Sequence, residues 1–399
     1  MSTRTGRHGS ALPWELARET ARDLGRSCGP GGRRREPLAD ALGGVLAEDL
    51  RARIASPAYD AAAMDGYAVA GPGPWTVRAR VLAGERHTLT LSPGEAVEIA
   101  TGARVPEGTG AVLPYERAER HADALTGTVR PGRHVRRRGE ETPEGATVLP
   151  AGTVVTPAVL GLAASLAHDH LPVHRPRVRA VVSGDELVRA GVPAPGAVRD
   201  AIGPMLPGLV AAGGGVLTSV RDVPDGFGAL VSALADTGDE SVVVVCGASS
   251  KGPADHLRGA LTELGAAVLV DGVRCRPGHP QLLARLAGEQ RPGPVVVGLP
   301  GNPGAALAAA LTLLLPLLRA MTGRADREAG RAARYPLGGH VSAHETDTRL
   351  VAVRVAEDRA CPVGHDRPAS LRGAAAADAL AVLPPDWRGG DVELLWLPG

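Results

Sequence analysis

The sequence predicts a multidomain α/β plus β protein: a doubly wound parallel α/β domain with a small β domain, an extended N-terminal domain and a C-terminal β-barrel. Three observations predict it. Strand-like and helix-like runs alternate without a break from 176 to 323, the pattern of a parallel sheet covered on both faces. Within that stretch, Val242-Val-Val-Val-Cys246 has the unbroken β-branched character of a strand buried on both sides. At 51–133 and 326–399, by contrast, short β-branched runs are separated by turns. The implied division is 13–50 together with 134–175, then 51–133, 176–325 and 326–399.

At 399 residues the chain is too long for a single core. Its 44% hydrophobic and 22% charged residues describe a soluble globular protein. A net charge of +1 and an aromatic content of 2% argue against nucleic acid or a membrane surface as partner. The N-terminus has no long apolar run and no 18-residue apolar span is expected, so neither signal peptide nor transmembrane helix is indicated. Cys28, Cys246, Cys275 and Cys361 form no CxxC pair, which points to a reduced, cytoplasmic protein. Lys251 is the only lysine; all other basic side chains apart from histidine are arginine.

Residues 1–12 read as a basic tail. A helix from Pro13 places Trp14, Ala17, Ala21 and Leu24 on one side. A Gly- and Arg-rich loop follows at 28–35, and a second helix is expected from Pro37, with Leu38, Ala41, Leu42 and Leu46 on one face. The Ala-rich stretch 56–69 is an ordered loop entering a strand at Tyr67; its Asp65 is either a metal ligand or the turn residue before Gly66. Strands are expected at 75–82, 96–99, 111–115 and 125–129, with Thr101-Gly102-Ala103 directly after the second. A helix is expected at 157–167, followed by His168-Asp169-His170 and His174, a polar turn or a metal-binding tract.

In the α/β region, strands are expected at 178–182, 216–220, Val242–Cys246 and Val295–Leu299, with helices near 204–212, 226–236, 253–264 and 303–321. Ligands of such a sheet bind at the carboxyl ends of its strands. Those ends carry Ser183-Gly184-Asp185-Glu186, Arg221-Asp222, the loop from Gly247 to Asp255, and Pro300-Gly301-Asn302-Pro303. The loop Gly247-Ala-Ser-Ser-Lys-Gly252 leads to Pro253, suited to the first turn of a helix; it is either an ordinary strand-to-helix turn or a cradle whose free N–H groups face an anion. Carboxylates beside such a cradle suit a phosphate-bearing ligand held with a divalent cation. Beyond a charged linker at 324–334, strands are expected at 335–341, 350–355, Ala379–Leu383 and 392–397.

These pieces, in this order, resemble the molybdopterin molybdenumtransferases, the MoeA and gephyrin E-domain family. The resemblance rests on PAYDAAAMDGYAV at 57–69, Ile99-Ala-Thr-Gly-Ala103, Ser183-Gly-Asp-Glu-Leu187, the loop ending at Asp255, Arg276-Pro-Gly-His-Pro280 and Leu299-Pro-Gly-Asn-Pro303. It implies an elongated homodimer of four subdomains, the third MogA-like, with the extended one serving dimerisation. The implied activity takes adenylylated molybdopterin and molybdate, hydrolyses the adenylate, and leaves molybdenum on the pterin dithiolene with release of AMP. Other molybdenum-cofactor biosynthesis proteins are implied as further partners.

The resemblance points to Asp65, Glu186 and Asp255 as catalytic, and to Asp222, Glu186 and Asp255 as the holders of Mg²⁺. It assigns substrate binding to Thr101, Gly247, Ser250, Lys251, Gly252, Arg276, Pro300, Asn302, Pro303 and Ser370. Four departures from the family pattern stand out. The loop at 247–252 replaces Gly-Gly-Val-Ser-Val-Gly, Asp200-Ala201-Ile202 replaces Asp-Ser-Asn, His279 replaces a lysine, and Ala352 falls where the family has an arginine, between Arg349 and Arg354. The changes at 200–202 and 247–252 favour an alternative, a catalytically impaired paralogue that binds molybdopterin or scaffolds cofactor assembly. A hydrolase acting on a different pyrophosphate substrate is the third reading.

Overall fold

The computed structural model describes residues 11–29, 32–236, 238–247, 256–288, 292–324, 334–365 and 367–398. Its central sheet runs Val216–Val223, Arg177–Ser183, Val242–Cys246, Val295–Leu299, Leu282–Arg285, Ala267–Asp271. The first four strands are parallel, with one register shift at Val178–Arg179 in the first pairing, and Val182 lies beside both Asp222 and Cys246, and Cys246 beside Leu299. The chain therefore visits strand two on one side of strand one and strands three and four on the other. That reversal makes a crevice between the carboxyl ends of Arg177–Ser183 and Val242–Cys246.

The last two strands, Leu282–Arg285 and Ala267–Asp271, were not expected, and each pairs antiparallel with its neighbour. The sheet is mixed, not wholly parallel. Leu-Leu-Ala-Arg lacks the β-branched signature and follows Pro280, so nothing local marks it as a strand.

One face of the sheet is covered by helices Phe227–Ala235 and Leu257–Glu263. The other is covered by Leu206–Ala212 and the continuous helix Pro303–Met321. By length and composition that helix could cross a membrane, with a mean hydropathy of 1.8, so the expectation of no such span is corrected. Its apolarity has a packing cause: 78% of it is buried between the sheet and helix Trp14–Ser27.

The helix carries a π-helical turn at Ala310–Leu314, just before Pro316. Proline has no N–H to give, so the carbonyl of Leu311 is left over. Arg18 Nη1 donates to it at 2.9 Å from a position only 4% exposed, and Trp14 Nε1 donates to Thr312 Oγ1 at 3.1 Å. The guanidinium of Arg18 also lies 4.8 Å from the centre of the Trp14 ring. The first helix thus belongs physically to the α/β layers, although the sequence groups 13–50 with 134–175.

Over 33–46 the sequence expectations fail. Arg33–Pro37, read as loop and helix start, is a strand paired with His170–His174, and Val45–Leu46 pairs with the same strand. In place of a helix, Pro37 closes a turn by accepting from the amides of Asp40 and Ala41. Leu38, Ala41 and Leu46 are still inward, but Gly43 (φ 80°) and Gly44 break any helix between them. Helix Pro157–Ser165 is capped by Thr156, whose Oγ1 accepts from Val159 at 3.3 Å. His168 Nε2 is spent on the carbonyl of Arg51, while His170 and His174 lie in the strand.

The small β-sheet orders Ala118–His121, Ala124–Gly127, Trp75–Val81, Glu95–Ile99, Gly66–Val69, Ala111–Pro114, with apolar clusters on both faces. Gly66 runs so close to its neighbour that a Cβ there would sit 2.1 Å from the carbonyl oxygen of Leu113.

The last sheet has an open path: Leu12–Pro13, Val273–Arg276, Thr348–Ala356, Ala379–Leu383, Asp391–Trp396, Arg334–Pro336, with Arg359–Pro362 also on Thr348–Ala356. Leu12, the end of the expected tail, is therefore in a strand, paired with Val273. Val273–Arg276 leaves the α/β region to join this sheet, where Arg276 lies beside Arg349. The expected linker at 324–334 falls almost wholly outside the described residues.

Candidate functional site

Gly247 ends the central strand with φ 97°, and a Cβ on it would lie 2.4 Å from the carbonyl oxygen of Ser183. Only glycine lets the two strand-end loops approach so closely. Gly301 follows the next strand, and a Cβ there would come within 3.7 Å of Gly247 Cα. Three strand ends thus meet around Gly247. Ser250, Lys251, Gly252 and Asp255 lie outside the described residues.

Beside Gly247 the loop after Ser183 is tied to the turn at 223–226. Ser183 Oγ donates to Asp225 Oδ1 at 2.6 Å, the amide of Asp185 to Asp225 Oδ2 at 3.3 Å, and the amide of Asp225 to Asp185 Oδ1 at 3.1 Å. Asp185 and Asp225 therefore build the loop, which leaves Glu186 exposed at its tip. Val-Pro-Asp-Gly at 223–226 is a turn signature at a strand end, so Asp225 was findable from sequence.

Asp222 closes the neighbouring strand, and its carboxylate pairs with Arg189. The same guanidinium holds Asp200, which is 6% exposed and caps the next turn by accepting from the amides of Ile202 and Gly203 at 3.0 and 3.1 Å. Sequence reasoning missed Arg189. Nothing local marks it, because the ladder that delivers it pairs Leu187–Val188 with Val198–Arg199 across a nine-residue gap, from 189 to 197. Cys246 lies below this group; burial pushes its thiol up to about 12, with Asp200 adding to the rise and Arg189 opposing it.

A cleft of about 600 Å³ opens at the fourth strand end, between the α/β layers and the C-terminal sheet. Arg276, His279, Pro300, Asn302, His344 and Arg349 line it. Asn302 and Pro303 begin the long helix, and the Ala305 amide at its start donates to the carbonyl of Pro368 at 3.0 Å. Gly304 leaves room for that segment, since a Cβ would meet the Ser370 and Pro368 carbonyl oxygens at 2.7 and 2.8 Å. Ser370 itself accepts from the amide of Arg372 at 3.2 Å, at the start of the short helix that follows. Arg276 Nε donates to Asp347 Oδ2 at 2.8 Å. Burial works to raise the Asp347 carboxyl, but the hydrogen bonds from Arg276 and Thr346 and the charges of Arg276 and His344 hold it below the usual range. Burial, aided by Asp347, pushes the Cys275 thiol up to about 12, so it is no nucleophile. Ala352 borders a separate small cavity with Ser370, whereas Arg349 faces the cleft.

Asp65 and Thr101 meet on the small β-sheet. Asp65 Oδ1 accepts from the Thr101 amide at 2.6 Å and from its hydroxyl at 2.8 Å, which leaves Oδ2 outward. The amide first and the hydroxyl second hold the Asp65 carboxyl below its ordinary value. Asp60, five residues earlier, is consumed by Arg137 Nη1 at 2.7 Å and the Arg138 amide at 2.8 Å.

Mg²⁺ finds no complete ligand set among the described residues. Asp222 is engaged by Arg189, Asp185 and Asp225 hold each other's amides, and no group of three or more His, Cys, Asp or Glu is arranged around one point.

Comparison with known proteins covers the same ground. Residues 13–167 match the family model described as "MoeA N-terminal region (domain I and II)", and residues 179–320 match "Probable molybdopterin binding domain". Molybdopterin molybdenumtransferase 2 of Mycobacterium tuberculosis is 36% identical over 315 residues, covering 73% of this chain and 75% of its own. The molybdopterin molybdenumtransferase of Nostoc is 32% identical, covering 71% of this chain and 68% of its own. That of Bacillus subtilis is 29% identical, covering 88% and 86%. A solved molybdopterin biosynthesis MoeA protein of Pyrococcus horikoshii superposes with a TM-score of 0.70 at 25% identity, covering 97% of this chain and 99% of that one.

Proposed function

Because the chain belongs to the molybdopterin molybdenumtransferase family, we propose that it inserts molybdenum into adenylylated molybdopterin and releases AMP, a step of molybdenum cofactor biosynthesis. The observation that supports this most is the meeting of three strand ends at Gly247 beside a cleft lined by Arg276, Asn302 and Arg349. A pterin with its phosphates needs close backbone approach at one end and cations at the other. Gly247 supplies the first, and the neighbouring cleft, which Pro300 and Asn302 border on either side of Gly301, supplies the second.

The division of labour follows from what each group can do. Gly247, with Ser250, Lys251 and Gly252, receives phosphate oxygens on backbone N–H groups and the single ammonium. Arg276, Pro300, Asn302, Pro303 and Ser370 shape the anion-binding cleft, with His279 and Arg349 on its wall. Glu186, exposed at the loop tip, and Asp255 orient the attacking water and accept its proton. Attack forms a bond from the water oxygen to the adenylyl phosphorus and breaks the bridging P–O bond; AMP leaves and molybdopterin keeps its own phosphate. Asp65 and Thr101 serve the molybdate end.

Asp65 and Thr101 sit on the small β-sheet, away from the strand ends, so this reading includes a homodimer in which that loop meets the partner's crevice. It also includes the four-part division of the chain and closure of the C-terminal sheet towards a barrel. The latter is supported by the Gly338 amide, which donates to the carbonyl of Ala360 at 2.8 Å across the open side. Mg²⁺ would be held by Glu186 and Asp255, since Asp222 has a cation already. The four free cysteines support a reduced, cytoplasmic setting. Relatives named as molybdenumtransferases give the impaired-paralogue reading no advantage. The test is AMP release from adenylylated molybdopterin with and without molybdate. Molybdate-dependent release is expected, and pterin binding without release would overturn the reading.

A further inference from the structure

The guanidinium of Arg189 lies between two carboxylates of unequal freedom. Asp200 is buried and fully occupied: Oδ1 takes the amides of Ile202 and Gly203, and Oδ2 takes Arg189 Nη1. The Asp200 amide in turn donates to the Val188 carbonyl at 3.0 Å, which fixes its distance from the residue after Val188, Arg189. Asp222 is on the solvent side, and it takes the other nitrogen, Nη2. A Cβ on Gly203 would come within 2.3 Å of Asp200 Oδ2 and 2.8 Å of Arg189 Nη1, so the packing around the pair admits no larger residue. A planar fork that meets two carboxylates at once is a contact only arginine makes.

We propose that Arg189 is a positioning residue of the strand-end site, holding Asp222 against Asp200 and supplying at Asp222 the positive charge that a divalent ion would otherwise supply. The inference rests on reading Asp222 as part of the molybdenumtransferase site. A buried carboxylate demands a counter-charge, and Asp200 has no described cation other than Arg189. Arg189 is therefore anchored from below, and Asp222 meets it as a preformed cation. The side chains of Ala201 and Ile202 offer Asp200 no hydrogen bond, so beyond Arg189 it has the amides of Ile202 and Gly203. A divalent ion approaching Asp222 must displace Nη2 before it gains a ligand. Metal affinity at this strand end is thereby set by one arginine, and more weakly than bare carboxylates would set it.

The experiment is a Mn²⁺ titration of the full-length protein, without substrate, followed by electron paramagnetic resonance. Arg189→Gln keeps a donor for Asp200 and removes the charge; it should bind Mn²⁺ about fivefold more tightly than the unmodified protein. Arg189→Lys should stay within about twofold, and adding Asp222→Asn to Arg189→Gln should erase the gain. Unchanged or weaker Mn²⁺ binding by a folded Arg189→Gln protein overturns the proposal. Should that variant fail to fold, Asp222→Asn alone decides: little change is expected, and a loss of about tenfold overturns the proposal. None of these readouts uses AMP release, so the catalytic reading stands or falls by its own assay.

Discussion

Asp65 and Thr101 are joined twice through one oxygen: the amide and the hydroxyl of Thr101 both donate to Asp65 Oδ1. A carboxylate fixed in this way has one orientation and stays ionised in mild acid.

Thr101→Val keeps the amide bond and removes the hydroxyl bond. The Asp65 carboxyl, held low in the protein, should move back towards its ordinary value without reaching it. The sign follows: Asp65 favours the folded state above its unfolded pKa, and that contribution disappears as pH falls through the lower folded value. Carboxyl NMR titration of the two proteins checks it, and identical Asp65 titrations would refute the assignment. Asp65→Ala should abolish molybdate-dependent AMP release with pterin binding retained.

Gly247→Ala should be costly in both stability and activity. Its φ of 97° and the 2.4 Å approach to the Ser183 carbonyl leave an alanine no unstrained position. A loss of roughly 1–3 kcal/mol is expected, read by urea denaturation, together with weaker pterin binding. Full retention of both would show that the loops separate easily.

If Arg276 binds the anionic substrate without reacting, as proposed, Arg276→Ala should raise KM by about tenfold while changing kcat little. It should also let the Asp347 carboxyl rise, because the hydrogen bond and charge from Arg276 help keep it low. Steady-state kinetics across salt concentrations measure the first effect. An unchanged KM would remove Arg276 from the cleft's binding groups.

Arg18→Met should leave the Leu311 carbonyl without its donor in the core and cost about 1–3 kcal/mol. Lower thermal stability with normal kinetics at moderate temperature is the expected pair of results.

Thiol labelling of the native protein at pH 8 should be fast at Cys361, slower at Cys28, and undetectable at Cys246 and Cys275. The last two are buried and their thiols sit near 12, so almost no thiolate forms. Rapid labelling of four thiols would contradict the packing.

Much of this fold could be read in advance because its strongest signals are local. Val242–Cys246 and Val295–Leu299 announce themselves by composition, and Trp14, Ala17, Ala21 and Leu24 by their spacing. The errors share a cause as well. Leu38, Ala41 and Leu46 fit a helical face, yet a turn followed by a strand buries the same residues, and two glycines decide the matter. Arg33–Pro37 becomes a strand only because His170–His174, far away in sequence, offers it a partner. Of the residues proposed for the site, Asp65, Thr101, Gly247 and Asn302 stood out through their motifs. Arg189 did not, since its meaning comes from Asp200 and Asp222, which only the folded chain brings to it.

Val273–Arg276 sits as an internal neighbour in the C-terminal sheet, between Leu12–Pro13 and Thr348–Ala356. The protein is consequently woven and not strung like beads. A gene fragment that begins after the long helix would encode a sheet whose longest strand has lost one bonding partner. The edge bared at Thr348 and Arg349, beside the part that Arg359–Pro362 still covers, would be open to other copies, so such a fragment should associate on expression. Recombination that swaps the C-terminal segment between relatives would then have to carry the 273–276 strand with it.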